Sequence, residues 1–249
     1  MADETQLKPE VQIFETVDAL QTAAAHHVAA ALQPTAQGRV MTIALSGGST
    51  PRGFHEMLAT LPGIDWTRVH VFWGDERTVS PDSDQSNYRM AHETLLSKVE
   101  IPDESIHRMR GEDDPEQAAR DYEQILADVC KVEAPAFPRL DINILGMGPD
   151  GHTASLFPGT AALDERERWV VANAVPQQDT TRITLTYPVL NHAYLTCFLV
   201  TGADKSDAIS QVFSGPTDSP PAAGVLPIDG QLIWFLDQAA AEGLKRITS

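Results

Sequence analysis

Short apolar runs alternate along this 249-residue chain with longer segments of helical periodicity. Three of these runs pass directly into loops of unusual composition. The runs are 40–45, 69–73 and 140–145, and the loops that follow them are 46–50, 74–77 and 146–153. The alternation predicts an α/β fold, a mostly parallel sheet with helices on both faces. Because ligands gather beyond the carboxyl ends of strands in such folds, we expect the three loops to form one shared site.

The remaining elements follow from the same periodicities. Further strands are predicted over 11–14 (an edge strand), 169–175, 182–186, 194–200 and 233–236, with a C-terminal helix after the last. Helices are predicted over 51–58, 87–98, 115–132 and 203–213, and from a Thr16 cap to about residue 32. A Ser or Thr cap followed by Pro51 at the first helical position is a typical helix start. The length suits one large domain or at most two small ones, and without an internal repeat we assign residues 1–249 to a single domain.

Charge and apolar content exclude several classes of protein. The net charge is -17 and the isoelectric point about 4.7, which argues against non-specific binding to nucleic acid or to anionic membranes. An anionic substrate must therefore meet a local cationic pocket. No stretch approaches the roughly 18 apolar residues of a membrane span, so we expect a cytoplasmic protein.

The first loop is rich in glycine and hydroxyl groups. It consists of Ser46, Gly47, Gly48, Ser49 and Thr50. Glycines let the backbone approach an anion, and a following helix offers free N–H groups. A tight strand–helix turn with a capping serine explains the same pattern equally well. The loop is neither a Walker loop nor a GxGxxG turn, so a sugar phosphate fits it better than a nucleotide.

The second loop brings two carboxylates and a guanidinium to the end of a strand. Arg77 is suited to clamp a phosphate or to stabilise a developing oxyanion, and Asp75 is a candidate catalytic residue beside it. For Glu76 we favour a surface ion pair with the arginine.

The third loop presents His152 in a glycine-rich setting after a buried strand. A histidine can take a proton from water and return it to a leaving group, and Asp150 lies close enough to orient the imidazole or raise its basicity. We interpret the other seven histidines as ordinary ones. No His or Cys stands at ligand spacing, so we expect no metal. Ser155 is not in a GxSxG turn, which disfavours a serine hydrolase.

Two further cations stand where a phosphate could bind. Arg182 begins a predicted strand, and Lys205 lies at the start of a predicted helix. A solvated surface charge is at least as good an explanation for either one alone. Arg52 and Arg89 are weaker candidates.

Together these segments resemble the 6-phosphogluconolactonase family. The matching segments, in the family's order, are LSGGSTP (45–51), VHVFWGDER (69–77), DQSNY (84–88), LGMGPDGHTASLFP (145–158), RITLT (182–186) and GADK (202–205). The similarity covers about residues 10 to 245, and the ordered set is far more specific than any single motif.

The resemblance implies a three-layer, modified Rossmann-like fold and hydrolysis of 6-phospho-D-glucono-1,5-lactone in the oxidative pentose phosphate pathway. It implies no cofactor, and its partner is the small sugar-phosphate lactone. We expect a monomer or small homo-oligomer. As a mechanism, His152 activates water, Asp150 orients it, and backbone N–H groups with Arg77 hold the oxyanion. The phosphate lies against residues 46–50, Arg182 and Lys205.

Two other functions remain open. Sugar-phosphate isomerases and deaminases of the same fold also use a Gly-Asp-Gly-His-like segment, but a tyrosine-type continuation replaces Arg77 there. Non-catalytic sugar-phosphate sensors often carry an added DNA-binding domain, for which we find neither spare length nor a basic region in this sequence.

Overall fold

Two β-sheets form the framework of the part of the chain that the computed structural model describes, residues 9–33, 39–215 and 219–245. The strands are β1 (Glu10–Phe14), β2 (Met41–Leu45), β3 (Val69–Trp73), β4 (Asp75–Arg77), β5 (Ile142–Leu145), β6 (Val170–Val175), β7 (Thr180–Leu185), β8 (Leu195–Val200) and β9 (Gln231–Asp237). In this part of the chain, a six-stranded parallel sheet has the order β1-β9-β8-β5-β2-β3. A three-stranded antiparallel sheet has the order β4-β7-β6.

Helices pack on the two faces of the larger sheet. They are α1 (Val17–Ala31), α2 (Ser49–Leu58), α3 (Asn87–Thr94), α4 (Pro115–Cys130), α5 (Tyr187–Leu190), α6 (Ser206–Phe213) and α7 (Gln238–Lys245). Single 3-10 turns lie at Trp66–Arg68, Leu96–Lys98, Asp103–Ser105, Ala161–Asp164, Pro176–Gln178, Ala203–Lys205 and Pro221–Gly224. No helix within the described ranges is long and apolar enough to cross a membrane.

The parallel sheet is covered on both faces. Successive strand residues point to opposite sides, so Val71 joins one apolar cluster and Phe72 the other. The first cluster contains buried side chains of α1, α2 and α3, and the second those of α4, α6, α7 and the small sheet. The prediction of a mostly parallel sheet between two helical layers is thus confirmed.

Three local predictions need correction or support. Thr16 caps α1 as expected, because its hydroxyl accepts the N–H of Ala19 at 3.1 Å. Helix α2 begins at Ser49 after Gly48, and no side chain caps it, so the predicted start with a capping hydroxyl and Pro51 in first position is wrong. Residues 75–77, predicted as a loop, form strand β4.

A fully buried histidine lies between α2 and α3. The hydroxyl of Thr94 donates to the carbonyl of Met90 at 2.6 Å, so His55 Nδ1–H is the donor in the 3.3 Å contact between His55 and Thr94. The opposite ring nitrogen, Nε2, is buried and has no partner among the described residues. Burial, followed by the charge of Arg52, lowers the pKa of His55 from 6.5 to about 3. The imidazole is therefore neutral in the folded protein at neutral pH.

We predict that this histidine makes the fold sensitive to acid. Below pH 6.5 His55 of the unfolded chain binds a proton, whereas His55 of the folded protein stays neutral down to about pH 3. The contribution of this group to the free energy of unfolding is therefore fully present above pH 6.5 and is lost as the pH falls. The slope from this group approaches about 1.4 kcal/mol per pH unit. Urea unfolding across that range should show a shallower dependence in His55→Leu. Identical slopes in the two proteins would contradict the assignment.

Candidate active site

A cavity of about 350 Å³ opens at the carboxyl ends of four neighbouring strands of the parallel sheet, β8, β5, β2 and the edge strand β3. Ten of the eleven predicted site residues line it: Ser46, Gly47, Gly48, Ser49, Thr50, Asp75, Arg77, His152, Arg182 and Lys205. The eleventh, Asp150, contacts the cavity through His152. The structure therefore brings together the segments that follow three neighbouring strands, as expected from the sheet topology.

His152 and Asp150 form a hydrogen-bonded pair in the turn after β5. Nδ1 of His152 lies 2.5 Å from Oδ1 of Asp150, and the same oxygen accepts the backbone N–H of His152 at 3.2 Å. An ionised carboxylate only accepts, so the proton of the neutral imidazole sits on Nδ1. Nε2 has no hydrogen-bond partner among residues 9–33, 39–215 and 219–245, and His152 lines the cavity. The arrangement provides a proton acceptor at the cavity.

Asp75 is buried and fixed by two neighbours. Its Oδ2 accepts the hydroxyl of Ser155 at 2.6 Å, and its Oδ1 accepts Nδ2–H of Asn87 at 3.2 Å. Asn87 also donates to the carbonyl of Asp75 at 2.9 Å. These bonds orient the carboxylate at the cavity wall, where it can accept hydrogen bonds from the hydroxyl groups of a sugar.

Arg77 and Arg182 stand opposite one another on β4 and β7. Residues directly opposite on an antiparallel pair share one face, and both guanidinium groups line the cavity. Arg77 donates to the carbonyl of Gln85, and Nη2 of Arg182 donates to Gln178 at 2.6 Å. Neither arginine has an ion-pair partner among the described residues, and both Nε atoms are buried without acceptors there.

The electrostatics of this arginine pair favour an anion. Burial, and then the charge of Arg77, lowers the pKa of Arg182 from its ordinary value, while the carboxylates of Asp75 and Glu76 oppose that shift. A dianion between the guanidiniums would relieve their repulsion and supply acceptors for fork-like donors. Arg182 is the third residue of its strand, not the first as predicted, because β7 begins at Thr180.

The glycine-rich loop lies between β2 and α2 at the same cavity. Gly48 has a φ of 108°, a backbone conformation that residues with a side chain rarely adopt. The first N–H groups of a helix lack partners within the helix, so this end of α2 offers donors to an anion. The hydroxyl of Thr50 contacts that of Thr201 at 2.7 Å, which ties the loop to the end of β8.

Lys205 approaches the cavity from the turn after β8. Its ammonium pairs with the neighbouring carboxylate of Asp204, and this hydrogen bond lowers the pKa of Asp204. Part of the charge of Lys205 is therefore already neutralised. Arg52 is exposed, Arg89 pairs with Asp84 and Glu93, and neither lines the cavity.

Glu76 is the clearest departure from the sequence-based interpretation. It is 3% exposed and forms no ion pair with any residue that the structure describes. Oε1 accepts the backbone N–H groups of Arg77 and Asn87, each at 2.8 Å. Oε2 accepts the N–H of Tyr88 at 2.8 Å and the hydroxyl of Ser86 at 3.1 Å. Burial raises the pKa of Glu76, and these bonds oppose the rise. The carboxylate thus fastens the start of α3 to β4.

We predict that Glu76→Gln lowers the free energy of unfolding by about 2–3 kcal/mol, because its amide group would face two N–H or O–H donors and leave them unsatisfied. Urea denaturation measures the change, and Glu56→Gln, at an exposed position of α2, is the matched control. A loss under about 0.5 kcal/mol, the range of ordinary surface changes, would contradict this role for the carboxylate.

Several residues of the cavity were not singled out from the sequence. Asn87, Ser155, Gln178 and Thr201 contribute polar groups, and Phe157 contributes an apolar wall. Asn87 and Ser155 lie within the quoted motifs, but a motif does not say which carboxylate a polar side chain contacts. No group of three or more His, Cys, Asp or Glu side chains that could hold a metal occurs in the described part of the chain.

Comparisons of the sequence and of the structure with known proteins agree on one family. Residues 15–234 match the family described as glucosamine-6-phosphate isomerases/6-phosphogluconolactonase. A 6-phosphogluconolactonase of Synechocystis sp. is 46% identical over 82% of this chain and 85% of its own length. One of Nostoc sp. is 45% identical over 84% and 86%. The solved 6-phosphogluconolactonase of Trypanosoma cruzi superimposes with a TM-score of 0.85 at 29% identity, covering 96% of this chain and 98% of the other.

The similarity extends over the fold and over the segments that build the cavity. The matched region contains β2, β4, β5 and β7. It includes the His152–Asp150 pair after β5, the buried Asp75 and Arg77 on β4, and Arg182 on β7. The chain therefore belongs to the 6-phosphogluconolactonase family, within the superfamily of glucosamine-6-phosphate isomerases and 6-phosphogluconolactonases.

Proposed function

We propose that this protein hydrolyses 6-phospho-D-glucono-1,5-lactone to 6-phospho-D-gluconate, a step of the oxidative pentose phosphate pathway. One observation carries the proposal: His152, hydrogen-bonded to Asp150, lines the same cavity as two arginines without carboxylate partners among the described residues. A base at one part of the cavity and an anion site at another suit a phosphorylated ester. The cyanobacterial relatives that this chain resembles bear the name 6-phosphogluconolactonase.

The first chemical step is attack by water on the lactone carbonyl. Nε2 of His152 removes a proton from the water as its oxygen bonds to C1. Asp150 keeps the Nδ1–H tautomer, so that Nε2 carries the lone pair, and it stabilises the imidazolium that forms. A lactone is an activated ester, so this step needs no covalent nucleophile.

The second step is collapse of the tetrahedral intermediate. Backbone N–H groups of the cavity, with Arg77, hold the oxyanion. The bond between C1 and the ring oxygen breaks, and protonated His152 returns its proton to that oxygen. The product acid ionises in solution, and the imidazole regains its neutral form without any cofactor.

The phosphate of the substrate binds at the other part of the cavity. The loop Ser46–Thr50, Arg182 and Lys205 supply donors, and the position of Arg77 opposite Arg182 makes it a further candidate for the phosphate. Asp75 accepts hydrogen bonds from sugar hydroxyl groups.

The contacts of Ser155 argue against a serine nucleophile. Its hydroxyl donates to Asp75 at 2.6 Å and so is directed at a carboxylate that is already fixed by Asn87, not at a histidine. A Ser–His pair is the signature of an activated serine. Water is therefore the nucleophile in our proposal.

A comparison of two substrates tests the proposed function. Freshly generated 6-phosphogluconolactone should be hydrolysed well above its spontaneous rate, while glucosamine 6-phosphate should release no ammonia. Ammonia release with no acceleration of lactone hydrolysis would assign the chain to the deaminase branch of the superfamily instead.

We further propose that the protein acts in the cytoplasm on this small molecule alone, without nucleic acid or membrane, as a monomer or small homo-oligomer. The net charge of -17 supports the absence of polyanionic partners. Gel filtration with light scattering gives the oligomeric state, and a salt-sensitive shift on mixing with DNA would contradict the proposal.

A further inference from the structure

The imidazole of His152 lies against the ring of a buried phenylalanine. The ring centroids of His152 and Phe157 are 4.0 Å apart, and the planes are inclined by 21°. Phe157 is 2% exposed and also lines the cavity. A nearly parallel contact at this distance covers one face of the imidazole with a flat apolar surface.

The other contacts of His152 fix an edge of the ring but not its plane. Asp150 holds Nδ1, and a Cβ atom at Gly148 would come within 2.2 Å of Nδ1 and Cε1, so the backbone of Gly148 lies against the same edge. A single hydrogen bond at the ring still leaves its plane able to tilt by small rotations about Cα–Cβ and Cβ–Cγ. The face of Phe157 removes this freedom.

Phe157 is itself anchored to the small sheet. Its carbonyl accepts the N–H of Thr160 at 3.2 Å and the hydroxyl of Thr160 at 2.8 Å. Asn173 on β6, 2% exposed, donates to Thr160 Oγ1 at 3.0 Å and to the carbonyl of Ser155 at 2.8 Å. Asn173 thus hydrogen-bonds to the chain on both sides of Phe157 and holds the aromatic wall in place.

We propose that Phe157 is a positioning residue for this reaction: its ring fixes the plane of the His152 imidazole, so that Nε2 is held in line with the attacking water. The aromatic face also favours the imidazolium that forms in the first step, since a cation is attracted to the face of a ring. The proposal rests on the role of His152 as base in the proposed function. It predicts that Phe157 affects kcat, whereas a residue that only formed the wall of the cavity would affect KM.

Steady-state kinetics of three variants test this role. Phe157→Leu keeps an apolar side chain but loses the flat ring. We expect kcat to fall about tenfold to a hundredfold, with KM within about twofold of wild type, because a small misplacement of a reacting group lowers the rate by about this factor. Phe157→Tyr keeps the ring and should stay within a few-fold of wild type. Phe235→Leu, a fully buried site on β9, is the control for lost packing and should leave kcat unchanged. A rise in KM alone for Phe157→Leu, a Phe157→Tyr variant as slow as the leucine variant, or an equal fall in kcat for Phe235→Leu, would overturn the proposal.

Nitrogen-15 NMR of the imidazoles, without substrate, provides a readout independent of activity. Wild-type His152 should show one sharp Nδ1–H tautomer. Phe157→Leu retains Asp150 and therefore this tautomer, but its resonance should be broadened by motion of the ring, while Phe235→Leu keeps the wild-type signal. An unchanged His152 signal in Phe157→Leu would overturn the proposal. If His152→Ala retained full turnover, the base assignment of the proposed function would fail, yet these spectra would still report whether Phe157 fixes the ring.

Discussion

Replacement of His152 by alanine is expected to lower kcat about 10²–10⁴-fold, the usual contribution of one general base, with little change in KM. The variant keeps the arginine pair and the glycine-rich loop, so the ground state of the substrate should bind nearly as before. The variant loses the group that removes the proton from water and returns it to the ring oxygen. Both proton transfers lower the free energy of the transition state and leave that of the bound substrate unchanged. Stopped-flow or coupled measurement of lactone hydrolysis, corrected for the spontaneous reaction, gives both constants.

Two further variants sharpen this expectation. His26→Ala removes an exposed histidine of α1 and should leave kcat and KM at wild-type values. Asp150→Asn should fall between wild type and His152→Ala, because an amide can still contact the ring but no longer stabilises the imidazolium or selects the tautomer. Turnover of His152→Ala within a few-fold of wild type would remove His152 from the role of base.

Arg182→Gln is expected to raise KM for the phosphorylated lactone about 30- to 150-fold. A hydrogen bond between a guanidinium and an anion contributes about 2–3 kcal/mol, and each 1.4 kcal/mol is tenfold in affinity. The value of kcat should change much less, since the phosphate is remote from the bond that breaks. Because Arg77 and Arg182 repel each other, the double variant with Arg77→Gln should not lose the sum of the two single effects.

A lactone without the phosphate separates this role from a general loss of structure. Arg182→Gln should hardly alter kcat/KM for glucono-1,5-lactone, and Arg120→Gln, on the exposed side of α4, should alter neither reaction. Equal losses with both lactones would show that Arg182 does not bind the phosphate.

The strands that carry the site were predictable because their signals are local. The runs that became β2, β3 and β5 are mostly apolar, with one polar residue each, as is typical of strands in a parallel sheet covered on both faces. A glycine follows each of them within two residues. The convergence of His152 and the glycine-rich loop followed from parallel topology alone. Asp150 contacts His152 two residues away, so that pair was also visible in the sequence.

The contacts that were not predicted depend on partners far away in the chain. Strand β4 is three charged residues long and exists because β7, over 100 residues later, pairs with it. Glu76 is buried because it accepts hydrogen bonds from the start of α3, a contact that no periodicity reveals. The register of β4 and β7 places Arg77 opposite Arg182. The two arginines, which the sequence offered as separate candidates for binding an anion, therefore lie side by side.

The start of α2 was predicted wrongly for a different reason. Ser49, Thr50 and Pro51 carry the usual helix-start signals, yet the helix begins at Ser49 without a side-chain cap. In our account the exposed N–H groups are left for an anion, and the hydroxyl of Thr50 is bonded to Thr201 instead. A local preference gives way where the backbone serves a binding site.

In the proposed mechanism, one cavity places the lactone carbonyl at His152 and the phosphate at Arg182. A crystal structure of the protein with 6-phosphogluconate tests this most directly. We predict the product carboxylate within about 3 Å of Nε2 of His152, and the phosphate bound by Arg182 and the first turn of α2. A phosphate bound at His152, with the sugar carboxylate at Arg182 and the first turn of α2, would contradict the account.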